Sequence, residues 1–141
     1  MEQKRSDFKT KEDRRMGRVN EVKVLGVLNY EKEDKYTINP NRFDTFDFKN
    51  TEDICELKSR RNTYSQYPTT MVGYNKVEIA EKDTEHTYKF YFLFTDGLYC
   101  WTYHKDQYEV REGGLRENRK PYAFIPIKHL KLITQSISSF L

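Results

Sequence analysis

Three side chains in the first half of this chain have the types and spacing of a hydrolytic centre. They are Asp47 in "FDTFDFKN" and Glu56 and Lys58 in "ICELKSR". Mg²⁺ and Mn²⁺ prefer hard oxygen ligands and are commonly held by one or two carboxylates with waters and substrate oxygens. Two carboxylates on adjacent strands can clasp such an ion. In a strand, Glu56 and Lys58 project from one face about 7 Å apart. Leu57 between them points to the opposite face, into a core, while its carbonyl offers a further oxygen ligand. The chemistry that fits is metal-assisted phosphodiester cleavage. The ion lowers the pKa of a bound water and neutralises the scissile phosphate, and Lys58 positions that water or offsets the charge building on phosphorus.

The triplet acid-x-Lys discriminates little by itself. Random placement of 22 acids and 15 lysines along 141 positions yields about two such triplets, and the chain has six, starting at Glu2, Asp7, Glu21, Glu33, Asp47 and Glu56. What sets Glu56-Leu57-Lys58 apart is an apolar strand around it and a carboxylate facing it across a turn. Phe46 and Phe48 alternate with Thr45, Asp47 and Lys49, the period-2 pattern of a half-buried strand. With "NTED" as the turn, Asn50 faces Asp53, Phe48 faces Cys55, and Asp47 faces Glu56. Cys55 and Leu57 then form the layer behind the site, with Ile54 at the edge of the Glu56 face. Asp44 competes with Asp47, but in a regular strand it lies on the other face unless a bulge reverses it.

The elements that must position these residues follow from periodicity. A helix is predicted over about 12–30, with Met16, Val19, Val22, Leu25 and Leu28 as its apolar stripe. Asn39-Pro40-Asn41 breaks the chain before the hairpin. Pro68 predicts the start of a second helix carrying Met71, Val72, Val77 and Ile79. "YKFYFLF" reads as a central strand, returning through the Asp96-Gly97 turn into "LYCWTY". "QYEVRE" adds a short strand, "PYAFIPI" is a further apolar segment, and a closing helix is predicted from Pro126 through Ile127, Leu130, Ile133 and Ile137. The order helix-strand-strand-helix-strands-helix predicts one α/β domain over 1–141, a mixed sheet flanked by helices, with residues 1–12 frayed.

Composition narrows the function classes. The net charge of +3 permits a nucleic-acid partner without requiring one. No apolar run approaches the length of a membrane span, and the N-terminus lacks the apolar core of a secretory signal. Cys55 and Cys100 read as reduced core thiols of an intracellular protein. His86, His104 and His129 show no zinc spacing.

The central pair of strands resembles the PD-(D/E)XK phosphodiesterase superfamily of nucleases, with Asp47 matching the Asp of the second core strand and Glu56-Leu57-Lys58 matching (D/E)-x-K. The resemblance covers about residues 12–95 and implies a restriction-endonuclease-like core of helix, three-stranded meander, helix and strand. It implies that Glu21 in "GRVNEVKVL" is the acidic residue of the first helix and that Lys76 in "GYNKVEIA" is the basic residue of the second. Phe46 stands where many members have proline. The downstream "FTDGLYCWTY" and "YAFIPI" also look similar to small proteins of phages and large DNA viruses. The implied function is a Mg²⁺- or Mn²⁺-dependent endonuclease acting on nucleic acid, with DNA expected, in the cytoplasm or nucleus (a host cell's, if viral). The alternatives are a non-catalytic binding module of the same fold and a structural adaptor. Arg42, Arg60 and Arg61 are placed to grip phosphates, and Tyr64, Tyr67 and Tyr74 to stack on bases or pack. Symmetric cutting of two strands implies a C₂ homodimer.

Overall fold

The computed structural model describes residues 11–39, 46–114, 117 and 119–135, with side chains from residue 15 onward. Helix α1 (Lys11–Asn29) comes first. It stops where Glu31 takes the left-handed φ of 60°, a conformation that commonly ends helices. The side chain of Asn29 then exchanges hydrogen bonds with the backbone of Tyr36, donating to its carbonyl (2.9 Å) and accepting from its N–H (2.7 Å). This ties the helix end to β1 (Thr37–Ile38).

The predicted helix is present, but its buried stripe matches the predicted one only at Leu25 and Leu28. Val22 is 61% exposed and Met16 40%, whereas Val24 and Leu25 are buried and Leu28 packs beside them. A strict three-residue spacing drifts around a 3.6-residue helix. The face that meets the sheet runs through 21, 24, 25 and 28, the i, i+3, i+4, i+7 pattern. Glu21 therefore lies at the head of the buried stripe.

Strands β2 (Phe48–Lys49) and β3 (Asp53–Ser59) pair as read, Phe48 opposite Cys55 and Lys49 opposite Ile54. The turn is held by Asn50, whose side-chain oxygen accepts from the N–H groups of Glu52 and Asp53 (3.1 and 2.7 Å), an Asx-type turn. β1 pairs antiparallel with β2. β4 (Thr69–Gly73) and helix α2 (Tyr74–Lys82) follow. They carry the chain to β5 (Thr87–Phe94), which runs parallel to β3. β6 (Gly97–Thr102) returns through Asp96-Gly97, and β9 (Lys131–Thr134) closes a six-stranded sheet of order β1-β2-β3-β5-β6-β9. β4, β8 (Lys120–Pro126) and β7 (Glu109–Gly113) form a separate antiparallel sheet of order β4-β8-β7.

Two predicted helices need correction. The segment after Pro68 begins as β4, because Thr70 and Val72 alternate into the core and pair with Ile125 and Ala123 of β8. Helix α2 starts only at Tyr74, burying Val77 and Ala80 while Ile79 stays 38% exposed. The closing helix is a single 3₁₀ turn (Ile127–His129) followed by β9. The edge of β6 offers Leu132 a ladder opposite Tyr99, and long-range pairing overrides local periodicity. Ile137 lies outside the described residues.

The large sheet has a core on each face. On one, Val24 and Leu25 of α1 meet Tyr36, Phe48, Cys55, Leu57, Tyr91, Leu98 and Cys100. On the other, α2 and the small sheet cover Phe90, Phe92, Phe94 and Trp101. Both cysteines are free thiols and buried, and burial pushes the Cys100 thiol up to about 11. No helix among the described residues is long and apolar enough to cross a membrane.

The α1-facing core contains one buried carboxylate, Asp53, 7% exposed. It accepts from the Tyr36 hydroxyl and pairs with Lys89 at 3.2 Å. Asp53→Ala leaves the hydroxyl of Tyr36, itself 4% exposed, without this acceptor. The expected loss is about 2 kcal/mol of unfolding free energy, read as a lower urea midpoint at an unchanged m-value.

Candidate active site

Strand β3 outlasts its partner. The β2 ladder ends at Phe48, while β3 continues to Ser59. The backbone N–H of Asp47 still donates to the Cys55 carbonyl (3.0 Å), and one step further a side chain takes over from backbone. Asp47 Oδ2 accepts the N–H of Leu57 at 2.8 Å. In a strand, the N–H and C=O of one residue project from the same edge. The Leu57 carbonyl therefore faces the Asp47 side of β3.

This edge opens a cavity of about 540 Å³. Met16, Gly17, Asn20 and Glu21 of α1 form one wall, and Asp47 with residues Glu56–Arg61 forms the other. Asn20 secures the mouth by donating to the Ser59 hydroxyl (3.0 Å).

Glu56 is 3% exposed. It lies on the opposite face of β3 from Leu57, aligned with Phe90 of β5. Each of its oxygens meets an ammonium: Oε2 is 3.0 Å from Lys58 Nζ and Oε1 is 3.1 Å from Lys76 Nζ. A carboxylate this buried requires such partners. The two lysines differ in freedom. Lys76, 17% exposed, also lies over the Phe46 ring at 5.3 Å, while Lys58 is 34% exposed at the cleft rim.

Asp47 carries the electrostatic signature of the site. Burial first, then the charge of Glu56, push its carboxyl up to about 7, with Glu21 adding to the rise. The Leu57 N–H and the Lys76 ammonium oppose it. Three carboxylates thus line one cavity, with the charge of Glu56 met by two ammonium groups. The donor set of Asp47, Glu56 and the Leu57 carbonyl is all hard oxygen, which suits Mg²⁺ or Mn²⁺. Among the described residues no group of three or more His, Cys, Asp or Glu side chains stands in ready metal-ligand geometry; a backbone oxygen and waters would complete the shell.

The raised Asp47 value has a consequence for stability. A carboxyl at about 7 when folded, against an ordinary 3.8, binds more proton in the folded than in the unfolded chain between those values. Its ionisation therefore destabilises the metal-free fold, fully above pH 7 and not at all below about 4. Asp47→Asn is expected to raise the stability of the metal-free protein by about 1–2 kcal/mol at pH 8, a gain that vanishes in melts near pH 4.

The structure brings together Asp47, Glu56, Lys58, Glu21, Lys76 and Leu57. Arg60 and Arg61 line the same cavity. Arg60 is more than a surface cation: its guanidinium donates to the Met71 carbonyl of β4 (2.5 Å) and lies over Phe92 at 5.7 Å. Tyr64 is not at the cleft. Its ring stacks on Tyr99 (centroids 4.0 Å apart) and its hydroxyl donates to the Ile127 carbonyl, so it joins the 3₁₀ turn to the large sheet. Arg42 and Asp44 lie outside the described residues. Asn20 was not singled out from sequence; only its place one helical turn before Val24, on the buried side of α1, marks it.

In comparisons with protein families, curated proteins and solved structures, the chain matches none.

Proposed function

We propose that the protein is a metal-dependent nuclease that cleaves phosphodiester bonds of nucleic acid, with DNA the favoured substrate. One observation carries the reading: Asp47 and Glu56 flank the point where β2 leaves β3, with Lys58 on the open rim. Chain order supports it. With β4 of the small sheet set aside as an insertion between β3 and α2, helix α1, three antiparallel strands, helix α2 and then a strand parallel to the third match the order of the PD-(D/E)XK core. The restriction-endonuclease-like fold belongs to the same proposal.

Asp47, Glu56 and the Leu57 carbonyl would hold Mg²⁺ or Mn²⁺, which supplies Lewis acidity at the phosphate and an acidified water. The chain's own groups do the rest. Lys76 holds Glu56 Oε1 from behind at 3.1 Å. With a cation held at Glu56, Lys58 would be released from its 3.0 Å pairing and could donate to the attacking water or to a non-bridging phosphate oxygen. Glu21 and Asn20 close the α1 side of the cleft, and Arg61 at the mouth meets the backbone phosphates.

A second reading, a non-catalytic nucleic-acid- or protein-binding module of this fold, draws on the pairing of both Glu56 oxygens with lysines. An assay on plasmid, branched and single-stranded DNA and on RNA, with Mg²⁺, Mn²⁺ or EDTA, separates the two. Metal-dependent, EDTA-sensitive product supports the nuclease. Titration of Mn²⁺ into the protein without binding would defeat the metal site. An intracellular location, a viral origin and a C₂ dimer accompany the proposal; light scattering tests the last.

A further inference from the structure

The solvent face of the small sheet carries a second set of groups that the cleft does not use. On β8, Ala123 and Ile125 are fully buried, so Tyr122 and Phe124 project to the opposite side and remain half-buried. Cations lie on both rings. The guanidinium of Arg111, from β7, sits 4.0 Å from the Phe124 ring centroid, and Lys120 Nζ sits 5.6 Å from that of Tyr122. Gly113 lets the Tyr122 ring lie flat across β7, since a Cβ there would approach its Cδ2 to 3.0 Å.

The guanidinium is held in place. Its Nε pairs with Glu109 Oε1 at 3.0 Å, and the side chain is 52% exposed. One face of its plane thus rests on Phe124 while the other looks to solvent. Beside it opens a cavity of about 370 Å³ whose wall includes Arg111, Phe124, Lys128 and His129, with the carboxylates of Asp106 and Glu109 offsetting the two cations. In sequence, residues 105–131 contain seven Lys or Arg and four Asp or Glu, a net +3 that equals the charge of the whole chain.

We propose that this face binds unpaired nucleotides of a single-stranded nucleic acid, a base stacking on the Arg111–Phe124 pair and the backbone running along Lys120 and Lys128. Bases stack readily on aromatic rings and on guanidinium planes, and positive charge tracks the phosphates. A paired base offers no free face for this, which selects single strands. The face connects to the cleft through Arg60, which lines the cleft and donates to the Met71 carbonyl at the edge of the small sheet. As a feeder of substrate strand to the cleft, the site rests on the nuclease reading; as a binding site it stands apart from it.

The test is fluorescence anisotropy with a labelled oligothymidylate of about 15 nucleotides, in EDTA so that no cleavage intervenes, at several salt concentrations. Wild-type protein is expected to bind the single strand more tightly than a blunt duplex of equal length. The double variant Arg111→Ala/Lys128→Ala is expected to bind about ten-fold more weakly and with a shallower salt dependence. Arg111→Lys keeps the charge but loses the plane; weaker binding at an unchanged salt slope is expected, and this variant stands in if the double variant does not fold. Wild-type affinity in a double variant of unchanged melting temperature, or equal affinity for duplex, overturns the proposal. Arg111-dependent binding without metal-dependent cleavage retains this site and removes the nuclease reading. Cleavage with Arg111-independent binding does the reverse.

Discussion

Asp47→Asn is expected to abolish Mg²⁺-dependent cleavage while leaving the protein folded and, without metal, more stable than wild type at pH 8. The isosteric amide can still accept the Leu57 N–H that Asp47 accepts at 2.8 Å, so the edge of β3 stays capped. What disappears is the negative charge that burial, Glu56 and Glu21 all resist. Such a stabilisation would mark Asp47 as carrying strain of the kind that concentrates at functional centres. Lys58→Ala is the companion experiment. Its ammonium is the more exposed of the two on Glu56, so Glu56 keeps Lys76 and the fold loses little. Cleavage should fall about 10³-fold, the range for loss of one electrostatic or proton-transfer group. Initial rates over a Mg²⁺ titration, beside thermal melts, give both quantities. Full metal-dependent activity in both variants would remove Asp47 and Lys58 from the site.

Trp101→Ala is expected to cost about 4 kcal/mol, a large part of the 5–15 kcal/mol typical of a domain. Trp101 has no exposed surface and sits between the sheets, in one cluster with Phe90, Ala123 and Ile125. Its ring centroid lies 5.3 Å from that of Phe90 and 5.8 and 5.9 Å from those of Tyr103 and Tyr108. Its indole N–H donates to Gln107 at 3.0 Å, so truncation both opens a cavity and strands a polar acceptor. Urea unfolding followed by circular dichroism measures the loss. Trp101→Phe, which keeps an aromatic ring but not the donor, should cost about half as much. Equal stabilities for wild type and Trp101→Ala would mean that the small sheet is not anchored through this residue.

Much of the site was legible because its information is local. Turn chemistry around Asn50 and alternation from Ile54 to Lys58 set the Phe48–Cys55 register without reference to anything distant; the alternation read from Phe46 does not hold, because the strand begins only at Phe48 and Phe46 packs on Tyr88 and Phe90, on the sheet face opposite to Phe48. The same locality placed α1 and the Asp96-Gly97 return. The residue types at 47, 56 and 58 named the chemistry for which they are suited.

What only tertiary structure decided involves partners far along the chain. The segment after Pro68 is a strand because β8, some fifty residues later, offers it a ladder. The segment after Leu130 is a strand because the edge of β6 is open. Glu21 and Lys76 reach the cleft because two helices pack on opposite faces of one sheet. Sequence alone set Phe48 opposite Cys55 across the Asn50 turn. Tertiary structure decided that Asp47 would cap a strand edge left open by its own partner, that Glu56 would be sealed against Phe90 with two ammonium groups, and that Tyr64 would pack rather than recognise. Burial and charge at a point depend on every element that surrounds it, and no local pattern encodes that sum.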